Sequence, residues 1–370
     1  MKIAIDLTSL ADNLSGIERY ASQMAKAMLD INQNDNEYIL LFKDSIFSLF
    51  YEYESCENVS IRVIPSHGKS KLFFSQIILP RELKNTHADI ALFLAFPVPL
   101  LYKRRSISTI HDLSCYDCPE TMTKKSMLLW RALDTCAASG DKHVITISEF
   151  SKQRVIDHFR IDPDKVLVAY CGIDYDLFNQ EFGRGREEEV RKKYHLPQEY
   201  ILSLSTLEPR KNLPLLITAW AENWQANQKV PDLVLSGRKG WKLENLLSTV
   251  SEEAKQHIYV TGFVDDEDLP VLYRESRLFV YPSLYEGFGL PPVEAACSGA
   301  TVLCSDIPCL KEICGSGVHY FESNNVDSLK KALLKNMESK TEQLTSRYSW
   351  SQEAYKIKTM LNSISRKGSC

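Results

Sequence analysis

A chain of 370 residues with 44% hydrophobic and 25% charged side chains is long enough for two packed cores and too apolar to stay disordered. Its 44 Lys and Arg against 48 Asp and Glu leave a net charge of −4, spread over both halves, which excludes a polyanion-binding tail and argues against a nucleic-acid partner. The longest uncharged apolar run, Ile90–Tyr102, contains Pro97 and Pro99 and falls short of the roughly 20 residues of a membrane helix. The opening MKIAIDLTSL has Asp6 inside its apolar stretch and no small-residue cleavage site, so a cytoplasmic location is expected. Ten cysteines, several inside apolar runs, are expected as reduced thiols, and Cys115-Tyr-Asp-Cys118 has no second pair at ligand spacing.

Lys2–Asp6 reads as a strand, and Gly16–Asp30 follows with Ile17, Tyr20, Ala21, Met24, Ala25 and Met28 at helical spacing. Strand-like runs continue at Tyr38–Phe42, Val59–Ile64, Asp89–Phe93, Ser106–Ile110 and His143–Ile147, separated mostly by helical or loop stretches. A second series begins after Gly172-Ile173-Asp174, with strands expected at Tyr200–Ser205, Asp232–Ser236, His257–Thr261, Leu278–Tyr281 and Thr301–Cys304. Two successive series of this kind predict an α/β chain of two Rossmann-like domains, 1–171 and 172–345. The closing segment 346–370 puts Trp350, Ala354, Ile357 and Leu361 on one helical face, which needs a surface to cover.

The strongest chemical signal is Tyr281-Pro-Ser-Leu-Tyr-Glu286-Gly-Phe-Gly289-Leu-Pro-Pro-Val-Glu294, a strand end that turns through two glycines into a helix starting near Pro291. Amides around Phe288, Gly289 and Leu290 would stand at a positive helix terminus suited to phosphate, flanked by two carboxylates able to accept from sugar hydroxyls. The bland alternative makes Glu286 a helix cap and Glu294 an exposed acid. In Glu208-Pro-Arg210-Lys211-Asn212, two cations stand at a predicted strand's carboxyl end, ahead of a helix. Cations are disfavoured at such a terminus, so their placement asks for an anion. Gly237-Arg238-Lys239-Gly240 is a glycine-bracketed basic loop, as much a charged turn as a donor site. His111-Asp112 ends another predicted strand, where a histidine is more often structural than catalytic.

With these residues collected, the chain resembles the retaining glycosyltransferases of family 4, which have the GT-B architecture, and the resemblance spans essentially the whole sequence. Its most specific element is E-x7-E, matched by Glu286 and Glu294 in EGFGLPPVE. Ser15-Gly16-Ile17-Glu18, His111-Asp112, Ser148-Glu149-Phe150-Ser151, Glu208-Pro-Arg-Lys-Asn212, Gly262-Phe263 and the Trp350 helix support it.

The resemblance implies that the last helix crosses back to the first, acceptor-binding domain, and that the second domain binds a nucleotide sugar in an interdomain cleft. It further implies that Glu294 holds the ribose, Lys211 and Arg210 the pyrophosphate, and Glu286 with the amides of Phe288, Gly289 and Leu290 the transferred sugar. His111 would reach that sugar, Gly16 would let the first loop approach the donor, and Phe263 would meet the base. Many family members carry an Arg six residues before this Lys; Leu204-Ser205-Thr206 stands here instead, which shifts the phosphate toward Arg210 and Arg238. No cofactor or divalent metal is implied.

The implied function is hexosyl transfer, with mannose from GDP-mannose as the expected donor, onto a saccharide or lipid-linked saccharide in O-antigen or capsule assembly. A UDP-sugar transferase of the same family and a GT-B sugar-nucleotide 2-epimerase are the alternatives. Replacing Glu286 by Ala is expected to abolish turnover and leave the fold. Lys69, Lys71, Lys103, Arg104, Arg105, Lys124 and Lys125, near Leu72, Phe73 and Phe74, are the candidate contact with the inner face of the plasma membrane, against a reading as scattered solubilising charges over a core aromatic pair.

Overall fold

The computed structural model describes residues 1–11, 14–33, 35–140, 142–183, 185–227, 230–238, 246–248, 250–339, 341 and 347–367. Two compact units emerge: Met1–Pro119 with Thr123–Gly172 and Tyr348–Cys370, and Glu120–Met122 with Ile173–Arg347.

Seven parallel strands build the first unit: β1 (Lys2–Asp6), β2 (Glu37–Lys43), β3 (Val59–Ile64), β4 (Ile90–Phe93), β5 (Ser106–Ile110), β6 (His143–Thr146) and β7 (Val166–Val168). Their order is β3-β2-β1-β4-β5-β6-β7. Central strands such as β4 and β5 are buried along their whole length, which is why they read as continuous runs rather than alternating ones. Helix α1 (Gly16–Asp30) follows β1 and opens with a capping box, in which Glu18 accepts from the Ser15 amide at 2.8 Å. The closing helix Trp350–Lys367 belongs to this unit and packs on α1, with Ala354, Ile357 and Leu361 fully buried, as its periodicity predicts. Gly172 lies so close to Trp350 that a Cβ there would stand 2.4 Å from the indole ring.

The second unit has six parallel strands: β8 (Tyr200–Leu204), β9 (Asp232–Ser236), β10 (Ile258–Gly262), β11 (Leu278–Tyr281), β12 (Val302–Ser305) and β13 (His319–Phe321). They run in the order β10-β9-β8-β11-β12-β13. From β8 the chain winds outward through β9 and β10, then returns to place β11 on the other side of β8 and winds away again. The strand order therefore reverses between β8 and β11, whose register pairs Leu278 with Ile201 and Phe279 with Leu202. In an open α/β sheet, loops at the carboxyl ends of the two strands flanking such a reversal diverge and leave a crevice. Helix α2 (Leu213–Asn227) leaves the β8 loop, and helix α3 (Leu290–Cys297) leaves the β11 loop.

The nine described cysteines are free thiols, and four of the six buried ones lie in the second unit.

Candidate active site

Both strong motifs fall at the strand-order reversal of the second unit. After β8 the chain makes a single 3-10 turn, Pro209–Lys211, and Asn212 takes a left-handed conformation (φ 51°) before α2 begins. The turn closes because the Lys211 amide donates to the Glu208 carbonyl at 3.0 Å, and it throws both cations toward the β11 loop. A main-chain bond ties the two loops together, from the Leu284 amide to the Arg210 carbonyl at 2.9 Å.

Glu286 is buried and receives both cations. Lys211 Nζ donates to Glu286 Oε1 at 2.6 Å and to the Tyr281 hydroxyl at 2.9 Å, with the ammonium also 5.2 Å from the Tyr281 ring centroid. Arg210 Nη1 donates to Glu286 Oε2 at 3.2 Å and to the Tyr285 carbonyl at 2.7 Å, while Nη2 reaches Glu208 Oε1 at 2.8 Å. Burial by itself would raise the Glu286 carboxyl, but Lys211 and Arg210 overcome it and hold the group down to about 2. Glu286 is therefore an anion at every working pH. Burial also draws Lys211 below the ordinary lysine range against the pull of Glu286.

The helix that follows is α3. Its N-cap, Gly289, sits at φ 94° and uses no side-chain cap; a Cβ there would lie 2.5 Å from Leu310, so the tight turn needs glycine. The bland reading of the two acids thus fails in both parts. Glu286 is an ion-pair centre rather than a cap, and Glu294 is buried inside α3, accepting from the Tyr273 hydroxyl at 3.1 Å. Leu290 is the first residue of the helix. Phe288 is buried with its carbonyl facing the Cys309 thiol at 3.5 Å.

Arg238 leaves the end of β9 beside this loop, and its carbonyl receives the Leu207 amide at 3.0 Å. Its guanidinium lies 5.4 Å from the exposed Phe263 ring, which follows β10. Arg238 Nη2 is buried and finds no hydrogen-bond partner among the described residues, a donor that asks for an acceptor the protein does not supply. Lys239, Gly240 and Trp241 of the same motif lie outside the described residues.

In the first unit, His111 follows β5 and Gly16 opens α1. Gly16 is exposed, and a Cβ on it would meet no atom within 4 Å. His111 is half-buried; Nε2 lies 2.9 Å from the Leu94 carbonyl and so carries the proton, and Tyr20 meets the ring edge-on at 5.2 Å. Burial pushes its pKa down to about 4, against the opposing pull of the Leu94 carbonyl and Asp112. A base depressed in this way contributes stability that is fully present above its ordinary value of 6.5 and is lost as pH falls toward about 4. A pH–rate profile measured between pH 5 and 8 is expected to show no histidine limb near 6.5; a limb there that disappears in His111→Asn would contradict a neutral His111.

Sequence reasoning did not assign roles to Glu208, Tyr281 and Tyr273. Glu208 and Tyr281 lie inside the motifs and Tyr273 on a separate helix, Leu269–Glu275, and their partnerships depend on which elements are neighbours.

Residues 14–177 match the family model described as Glycosyltransferase Family 4, and residues 186–357 match Glycosyl transferases group 1. The O-antigen chain mannosyltransferase B of Escherichia coli is 29% identical over 357 residues, covering 91% of this chain and 91% of that protein. The O-antigen chain mannosyltransferase RfbU of Salmonella typhimurium is 28% identical over 244 residues, covering 65% of this chain and 62% of that protein. Among solved structures, Anabaena HepE in complex with UDP and glucose aligns with a TM-score of 0.72 at 18% identity, over 98% of this chain and 100% of that one, which speaks for the shared GT-B fold alone.

Proposed function

We propose, for a chain that belongs to the family 4 glycosyltransferases, that the hexose it transfers is mannose, taken from GDP-mannose with retention of anomeric configuration and placed on a lipid-linked saccharide in the assembly of an O-antigen-type polysaccharide. The observation that carries this reading is the Arg210–Lys211–Glu286 cluster at the strand-order reversal, with the unpartnered Arg238 donor beside it. The names of the related mannosyltransferases support the sugar and the polymer.

Breaking a sugar–phosphate bond develops positive charge at the anomeric carbon and negative charge on the departing diphosphate. Charges and dipoles already fixed in place stabilise such a transition state without reorganising, which is the largest catalytic term available to a site of this kind. Arg210, Lys211, Arg238 and the amino end of α3 supply the cationic side, and the permanently ionised Glu286 supplies the anionic side. Glu294, buried in α3 and accepting from the Tyr273 hydroxyl, is the proposed acceptor for ribose hydroxyls. His111, neutral, does not act as an acid in this proposal.

In this proposal the side-chain cations replace a divalent metal. Incubating the protein with radiolabelled GDP-mannose and a lipid-linked acceptor is expected to give a mannosylated product at a rate unchanged by EDTA. Turnover of a UDP-hexose in place of GDP-mannose would overturn the donor, and an epimerised nucleotide sugar formed without acceptor would overturn the reaction class.

Among the described residues no helix is long and apolar enough to cross a membrane. A lipid-linked acceptor is therefore met, in this proposal, by a peripheral contact at the cytoplasmic face.

A further inference from the structure

Arg210 and Lys211 are cations whose charge is already answered inside the protein. Glu286 pairs with both and Glu208 pairs with Arg210 again, so the four side chains sum to zero. Their N–H groups are committed as well: Lys211 to Glu286 and the Tyr281 hydroxyl, Arg210 to Glu286, Glu208 and the Tyr285 carbonyl. A diphosphate brings many acceptor oxygens, and those acceptors need donors beyond this cluster.

Such donors stand next to it. Ser205 Oγ, Asn212 Nδ2 and Arg238 Nη2 are buried polar atoms with no hydrogen-bond partner among the described residues. A buried donor that the protein leaves unpaired is costly, so three of them on neighbouring loops call for an acceptor from outside. Ser205 follows β8 and is 7% exposed, Asn212 is the left-handed residue between Lys211 and α2, and Arg238 follows β9. All three therefore lie on loops at the carboxyl ends of β8 and β9, which are adjacent in the sheet. Their main chain is fixed. The Ser205 amide donates to the Ser236 carbonyl at 3.0 Å, the Leu207 amide to the Arg238 carbonyl at 3.0 Å and the Leu215 amide to the Asn212 carbonyl at 3.1 Å. Groups held this way before a ligand arrives lose little freedom when it binds.

We infer that Ser205 Oγ, Asn212 Nδ2 and Arg238 Nη2 donate to the diphosphate oxygens of the nucleotide sugar, while Arg210, Lys211, Glu208 and Glu286 form a charge-balanced frame that holds the β8 and β11 loops. This deepens the reaction proposed above and rests on it for the identity of the ligand. A guanidinium and an amide nitrogen can only donate, and a hydroxyl can donate; such a set matches phosphate oxygens, which only accept, better than sugar hydroxyls, which also bring hydrogens of their own. Ser205 stands six residues before Lys211, the place where the sequence lacks an arginine, so a neutral hydroxyl serves there instead of a cation. One net cation and two neutral donors then meet the diphosphate, and recognition depends on direction more than on summed charge.

Calorimetric titration of the full chain with GDP, and with UDP alongside, tests this. Ser205→Ala, Asn212→Gly and Arg238→Met are each expected to weaken binding of the nucleotide about tenfold or more, the loss of one hydrogen bond to a charged oxygen. Without nucleotide, Ser205→Ala is expected to melt no lower than the parent, because it removes a hydroxyl that the protein does not pair, and Asn212→Gly likewise, because glycine takes the left-handed conformation without strain. Affinity falling while stability holds is what a merely structural role would not produce. If UDP binds and GDP does not, the donor proposed above fails, and the same three losses read with UDP sustain the inference. Variants that bind the nucleotide as tightly as the parent, a melting temperature lowered by Ser205→Ala in step with the loss of affinity, or binding of neither nucleotide would overturn it.

Discussion

Glu286→Gln is expected to lower kcat by about 10²–10³-fold, the loss typical of removing one fixed charge from a transition-state cradle. Glu286→Ala is expected to do the same and also to destabilise the second unit, because it takes the carboxylate that pairs them away from the buried Lys211 and the half-buried Arg210. Removing one partner of a buried ion pair costs about 3–5 kcal/mol, which for a unit of this size corresponds to a fall in melting temperature on the order of 10 °C. Sequence alone suggests that the Ala variant would keep its fold; the ion pair revises that. Gln keeps the size and one acceptor oxygen, so its melting temperature should lie between those of the parent and the Ala variant. Adding Lys211→Met to Glu286→Ala should recover part of the lost stability and none of the activity, since the double change removes the stranded charge. Acid should act like the Ala variant. A carboxyl held at about 2 contributes stability that is complete above its ordinary value of 4.5 and is lost as pH falls from there toward about 2. Scanning calorimetry with a coupled rate assay checks the series, and indistinguishable melting of parent, Gln and Ala would remove the ion pair from the account.

The reason that pair was not legible in the sequence is topological. Lys211 and Glu286 are 75 residues apart, and each motif by itself announces only a charge at a strand end. Their meeting requires β11 to lie beside β8 with β9 and β10 on the far side, and strand order is not written in local periodicity. What was legible were features confined to a single loop: the strand, double glycine and proline-started helix of EGFGLPPVE, and the helical face of Ala354, Ile357 and Leu361. Two strands escaped the reading, β7 (Val166–Val168) and β13 (His319–Phe321). Each is three residues long and lies at the edge of its sheet, too short to show a period and held mainly by one neighbour. Phe74 escaped for a related reason. In Leu72-Phe73-Phe74 nothing local tells which side chain turns inward; Phe74, at the start of a π turn over Phe74–Ile78, is the buried one, and Leu72 and Phe73 are exposed.

Gly237→Ala is expected to be the most damaging single methyl in the second unit. Gly237 sits at φ 132°, and a Cβ on it would stand 1.9 Å from the Ser205 carbonyl oxygen and 2.7 Å from its carbon. No side-chain motion relieves a clash with backbone. The surrounding main chain is also tied down: the Ser205 amide donates to Ser236 at 3.0 Å, the Gly237 amide to Gly262 at 2.8 Å and the Leu207 amide to Arg238 at 3.0 Å. A methyl must therefore push the β8 loop away from β9, and that loop runs directly into Glu208, Arg210 and Lys211. The expected result is a melting temperature lower by on the order of 10 °C, with kcat/KM reduced at least about tenfold in the fraction that folds, as the cations shift from Glu286. Gly299→Ala supplies the control. It too has a left-handed φ, 82°, but its Cβ would meet nothing within 4 Å, so it should cost only the conformational penalty of about 1 kcal/mol. If both variants melt within a degree or two of each other, the close approach of Gly237 to Ser205 does not hold the β8 loop in place, and the cations must be positioned by the bond from Leu284 to Arg210 and by Glu286 itself.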